Sequence, residues 1–193
     1  MRLILLFIGL TVVLISPAIA HPGSASAASF SAGVAHPFSG LDHIAVMVAV
    51  GLWAALKGDR ALWVWPMTFI AVMLFGAVLG MAHVALPFVE AGILVSVVAL
   101  GLAVTFAIDL PIVVGAGIIG IFAFLHGHAH GTEVAETING LEYMAGFVVA
   151  TATLHALGIS LALDAHSGTA RPAIRLVGGT CIAIGVGLFS GVL

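Results

Sequence analysis

Charge is what this sequence has least of. Only 7% of its 193 residues are Asp, Glu, Lys or Arg, where a soluble domain carries about 25%. With 62% hydrophobic residues and a mean hydropathy of +1.30, that scarcity predicts an all-α integral membrane protein. Five Lys and Arg residues form no basic stripe, which excludes a nucleic-acid partner. Cysteine is scarcer still. Cys181 stands alone inside an apolar run, so neither an intrachain disulfide nor a thiolate cluster can form. No Walker sequence is present, so the chain carries no ATPase of its own. Histidine is the exception to this poverty of polar groups, with nine residues.

The first 20 residues read as a secretory signal. Arg2 supplies the positive start, Leu3 to Ile15 the apolar core, and Ala18-Ile19-Ala20 a small-x-small cleavage site after the Ser16-Pro17 break. An uncleaved first helix is the alternative, since the run is just long enough to span. Cleavage would leave His21 at the mature N-terminus, where its amine and imidazole can chelate a metal. Residues 21–35 are small and polar and predict a flexible periplasmic lead-in.

Residues 36–193 then predict a six-helix transmembrane domain. The apolar segments are Leu41 to Leu56, Leu62 to Leu86, Ala91 to Ile108, Ile112 to Leu125, Leu141 to Leu163 and Ile174 to Leu193. Each approaches the length needed to cross a ~30 Å hydrocarbon core. The fourth relies on His126 and its neighbours to complete the crossing. The runs are continuous rather than alternating, which selects helices over a barrel. Lys57 and Arg60 follow the first segment, and Arg171 and Arg175 lie at the start of the sixth. The positive-inside rule makes that side cytoplasmic. Both mature termini are then periplasmic, in agreement with a cleaved signal. Gly76 and Gly80, and Gly187 and Gly191, have the small-xxx-small spacing of closely packed helices.

This topology gathers histidine at one end. His36 and His43 open the first segment, His83 closes the second, and His126, His128 and His130 end the fourth, with Glu133 and Glu136 following. Glu142 opens the fifth. Asp42 either ligates an ion, orients a histidine ring, or caps the first helix. Met47 lies one turn inward of His43 and is the next stop on a path, or ordinary packing. If the stretch His126 to Glu133 is helical, His126, His130 and Glu133 share one face; if it is extended, all three histidines do. Deep in the fifth segment, His155 is a core residue, an inner ligand or a proton carrier, and His166 is a loop residue. Imidazole and carboxylate suit Ni, Co, Zn or Cu(II). Neutral imidazole is required, so affinity is expected to fall below about pH 6.5.

Two motifs give the chain a family resemblance. A histidine, five residues and Asp-His are matched by His36, Asp42 and His43. The pattern Phe-His-Gly-x-Ala/Val-His-Gly-x-Glu is matched from His126 to Glu133, with Leu125 in place of the phenylalanine and Phe124 one step earlier. In these motifs, their order and the span pattern, the chain resembles the HupE/UreJ family of hydrogenase and urease accessory membrane proteins. The resemblance implies a secondary transporter of the bacterial inner membrane that takes up Ni(II), with Co(II) or Zn(II) as other ions, to supply [NiFe] hydrogenase or urease. It implies no enzymatic activity. The expected partners are the lipid bilayer, a divalent metal ion and downstream maturation factors, with a homo-oligomer left open. The expected ligands are His36, Asp42, His43, His83, His126, His128, His130 and Glu133. Met47, Glu142, His155 and His21 are expected on the path or around it. Two rivals remain open: an intramembrane zinc hydrolase, and a periplasm-facing metal sensor or store. A hydrolase needs about three protein ligands and an open water position, and the surplus of ligands argues against it.

Overall fold

The computed structural model describes residues 25–134, 139–163 and 171–192. Among them the structure is all helical. Helix α1 runs Ala25–Ala35 and passes through a 3-10 turn, His36–Phe38, into α2, Leu41–Lys57. Next along the chain come α3 (Ala61–Met81), α4 (Val89–Thr105), α5 (Ile112–Glu133), α6 (Gly140–Leu163) and α7 (Arg171–Phe189). Helices α3, α5, α6 and α7 are long and apolar enough to cross a membrane. The α1–α2 pair, bent by 80°, makes a fifth candidate if taken as one span, and α4 is shorter.

Helix α2 is the axis of the bundle. Every residue from Ala45 to Ala55 is buried, because the helix is apolar on all sides and is covered by α3, α4, α6 and α7. Asp42 in its first turn and Lys57 in its last complement the helix dipole.

Around this axis, glycine decides which helices touch. A Cβ on Gly76 would fall on the Phe124 carbonyl and one on Gly80 on the His128 carbonyl, while Gly127 and Gly131 press in return on the Met73 and Ala77 carbonyls. Helices α3 and α5 therefore meet backbone to backbone, the small-xxx-small mode. The Gly76–Gly80 expectation is realised in that contact. Gly191 instead lies past the end of α7 at φ +70°, with nothing within 4 Å of a Cβ. Gly51 and Gly158 join α2 to α6 in the same reciprocal way, against the His155 and Val48 carbonyls.

The lead-in expectation does not hold for residues 25–35, which are helical. Their small residues admit a neighbour. Gly33 lies against the Tyr143 carbonyl and Gly146 against the Phe30 carbonyl, so α1 docks on α6. The buried Ser29 hydroxyl accepts from the Asn139 N–H at 3.1 Å, and the Asn139 side chain accepts from Leu141 N–H, capping α6. Segment boundaries also shift. The second apolar segment ends at Met81 rather than Leu86. The Val84 N–H reaches back to the Leu79 carbonyl and His83 takes φ +55°, a six-residue helix stop that requires a left-handed residue. The fourth segment, expected to need His126 to complete it, continues as helix to Glu133.

The basic residues lie at the end of the bundle away from His36 and His43. Lys57 pairs with Asp109, and Arg175 Nε donates to the Thr105 carbonyl. The indoles of Trp53 and Trp65 donate to the Ile108 and Ile112 carbonyls at 2.8 and 2.9 Å. The turn between α4 and α5 is thereby tied to three other helices.

Candidate metal centre

The opposite end of the bundle holds the cluster. His36 comes from the 3-10 turn, His43 from the first turn of α2 and His130 from the last turns of α5. One ring nitrogen from each lies within 4.8 Å of the other two. Two nitrogens held ~2.1 Å from one ion are at most ~4.2 Å apart, so the three stand close to ligand spacing. The rings stand edge to face, with centroids 4.4 Å apart for His43–His130 and 4.8 Å for His36–His130.

Backbone places these rings. Gly40, extended at the N-cap of α2, leaves room for two side chains of the first turn: a Cβ there would sit 2.6 Å from Asp42 Oδ1 and 2.8 Å from His43 Nδ1. On α5, Gly127 and Gly131 occupy the face against α3. The positions one residue earlier, His126 and His130, lie about 100° round and point inward. The helical reading of His126 to Glu133 is thus the one the structure adopts. His126 joins the cluster one turn deeper, its ring 5.6 Å from His43.

Two carboxylates complete the set. Glu133 Oε2 lies 3.2 Å from His36 Nε2 and 3.3 Å from His130 Nδ1, bridging the rings. Asp42 Oδ1 lies 2.6 Å from His43 Nδ1. The His126 Nδ1–H donates to the Phe122 carbonyl at 2.9 Å. A carbonyl only accepts, so the neutral ring keeps its lone pair on Nε2. That Nε2 and the Nε2 atoms of His43 and His130 are buried without a hydrogen-bond partner among the described residues. Buried polar atoms of native proteins are nearly always paired, so several unpaired in one place fit a cation. Two carboxylates beside neutral imidazoles also match the charge of a divalent ion.

Exposure falls along the cluster. Glu133 is 53% exposed, His36 30%, His43 12% and His130 1%. The carboxylate meets solvent and the unpaired nitrogens lie behind it. Glu133→Gln keeps the shape and removes the charge that holds two rings. Metal affinity is expected to fall by about 10- to 100-fold, as for other partners that orient ligands; equilibrium dialysis of the purified protein against Ni(II) measures it.

Other expected ligands lie elsewhere. His128 is two positions from both His126 and His130 and therefore faces away, donating Nε2–H to the Val84 carbonyl at 2.7 Å. His83 is exposed in the turn after α3, where its left-handed backbone ends the helix. These two rings line a separate groove with Glu90 and Thr132, about 370 Å³ in volume. Neither belongs to the three-histidine set. Glu142 opens α6 with its Oε2 buried and unpaired among the described residues, outside that set. Met47 is fully buried one turn below His43, and its carbonyl, rather than its sulfur, meets His155. His21, Glu136 and His166 lie outside the described residues. Sequence reasoning missed the aromatic wall. Phe147 stacks 4.5 Å from His130, Tyr143 stands 5.9 Å from His36, and Phe69 lies 5.9 Å below His126. Aromatic residues inside apolar runs carry no signal that separates a site wall from core.

Residues 9–188 match the model of the HupE / UreJ protein family. The chain is 46% identical over 160 residues to Protein HupE of Rhizobium leguminosarum bv. viciae, covering 83% of this chain and 84% of that protein. No solved structure matches. Within the matched region lie both motifs, the bent α1–α2 corner and the glycine-packed α3–α5 pair, and the chain belongs to the HupE / UreJ family.

Proposed function

We propose that this protein is a permease of the bacterial inner membrane that captures Ni(II), or Co(II), on the periplasmic side and passes it inward to supply hydrogenase or urease maturation. The observation that carries the reading is the three-imidazole cluster with its unpaired nitrogens, roofed by exposed Glu133. In this reading the chain crosses the membrane six times after a cleaved signal. Helix α4 counts as a crossing because 17 residues rise about 25 Å, close to the hydrocarbon thickness once flanks are added. The basic end of the bundle faces the cytoplasm, and His36, Asp42, His43, His130 and Glu133 face out, with His126 behind them.

The Nε2 lone pair of His126 and the nitrogens of His43, His36 and His130 replace the ion's water, while Glu133 and Asp42 supply charge. Glu133 reaches solvent and draws the ion in. No chemical fuel is needed. At about 2.3 kcal/mol per charge per 100 mV, a divalent ion gains about 4.6 kcal/mol moving inward, enough for more than a thousandfold gradient. A zinc hydrolase would keep one coordination position open to water and hold its metal through purification. The ligand surplus and the graded burial favour passage over residence.

Uptake of radiolabelled Ni(II) into cells expressing the chain, against cells with an empty vector, tests this. Expression-dependent uptake, inhibited by cobalt and lost when the membrane potential is collapsed, is the expected result. Absence of uptake with the protein present and inserted would overturn the transport reading.

A further inference from the structure

Below the cluster, in the middle of the bundle, is a buried histidine that outer capture does not use. His155 lies on α6 eight residues beyond Phe147, about 12 Å further along the helix, and is 2% exposed. Its Nδ1 lies 2.7 Å from the Met47 carbonyl. Since a carbonyl only accepts, Nδ1 carries the proton and the neutral ring presents its lone pair at Nε2. That Nε2 is buried without a hydrogen-bond partner among the described residues. The ring is perpendicular to that of Phe69, centroids 5.1 Å apart, and Phe69 also lies against His126. One turn before His155 is Thr151, fully buried, whose hydroxyl donates to Met73 Sδ at 4.0 Å. Met73 is itself one turn beyond Phe69 on α3 and fully buried.

A histidine that served packing alone would have both nitrogens satisfied, or an apolar residue in its place, because an unpaired polar atom here costs about 1–3 kcal/mol. We infer that His155 Nε2, with the Met73 thioether held against Thr151 one helical turn away, is an inner way-station for the transported divalent cation, reached from His126 past the Phe69 ring. This rests on the transport reading above. The chemistry of the two stations differs in the direction that transport needs. The outer site offers two carboxylates, and so negative charge, to a dication. The inner one has neutral, softer ligands, imidazole and thioether, which accept borderline ions such as Ni(II), Co(II) and Cu(II) and exclude Mg(II) and Ca(II). A neutral station holds a dication weakly, so the ion can leave it toward the basic end.

His155→Asn separates a ligand from a structural role. The asparagine amide can still donate to the Met47 carbonyl, as Nδ1 does, but has nothing at the position of Nε2. Radiolabelled Ni(II) uptake is measured in cells, per amount of protein in the membrane, together with Ni(II) binding by the purified full-length chain. The inference expects maximal uptake to fall at least tenfold, with the half-saturating concentration and outer-site affinity within about twofold of wild type. Met73→Leu, which conserves volume, is expected to lower maximal uptake as well and decides the matter if His155→Asn does not reach the membrane. Wild-type uptake in His155→Asn, or in Met73→Leu when it alone is measurable, overturns the inference and leaves the transport reading intact. No uptake by wild type overturns both.

Discussion

Replacing His130 with alanine is expected to lower the Ni(II) affinity of the purified protein by at least about 100-fold, the upper end of what even an orienting partner costs. The variant loses one of the three nitrogens that lie within 4.8 Å of one another. It also frees Glu133, whose Oε2 is shared between His130 and His36. The informative control is two residues away. His128→Ala is expected to leave affinity within about twofold, because its ring is outside the site and couples to it only through packing. Its cost is structural: loss of the Nε2–H bond to the Val84 carbonyl, about 0.5–1.5 kcal/mol. Equilibrium dialysis with labelled Ni(II) reads both. Equal losses would mean that the His126 to Glu133 segment presents all its histidines to one site, as an extended strand would, against the helix seen here.

Gly127→Leu is expected to remove the folded protein from the membrane, or to leave a remnant destabilised by more than about 3 kcal/mol, beyond the usual cost of overpacking. The side chain would be built onto the Met73 carbonyl, and backbone cannot rotate aside as a side chain can. Forcing α3 and α5 apart also carries His126 and His130 out of register with His43, so surviving protein should bind Ni(II) poorly. Gly117→Ala is the contrast. Gly117 lies on the same helix with nothing within 4 Å of a Cβ, and alanine there removes the helix penalty of glycine, about 0.5–1 kcal/mol. Thermal unfolding of the detergent-purified variants measures the difference. Indistinguishable melting of the two would show that α3 and α5 are not in backbone contact.

These two experiments also separate what is local in the sequence from what is not. Composition alone determined a membrane-spanning helical protein, because a chain this poor in charge and this rich in continuous apolar runs satisfies its backbone in lipid only as helices. The order of spans, with Lys and Arg gathered at one end, put His36, His43, His126 and His130 at the other. Those inferences need only counting along the chain. The sequence left His126 to Glu133 open between helix and strand, since the two periodicities both align histidines.

Only the tertiary structure decided between them. Gly127 and Gly131 had to meet the Met73 and Ala77 carbonyls of another helix, a contact more than 50 residues away in the chain. That contact fixed which rings face inward and sent His128 toward Val84. The same holds for residues 25–35, where small polar composition reads as a free lead-in until Gly146 and Gly33 are seen to give α1 a surface on α6. The role of His83 as a helix stop was hidden as well, because the φ of a single residue, +55°, leaves no trace in hydropathy. Where a feature depends on one helix's own period, the residues revealed it. Where it depends on which backbone another helix can approach, folding had to be complete before it existed.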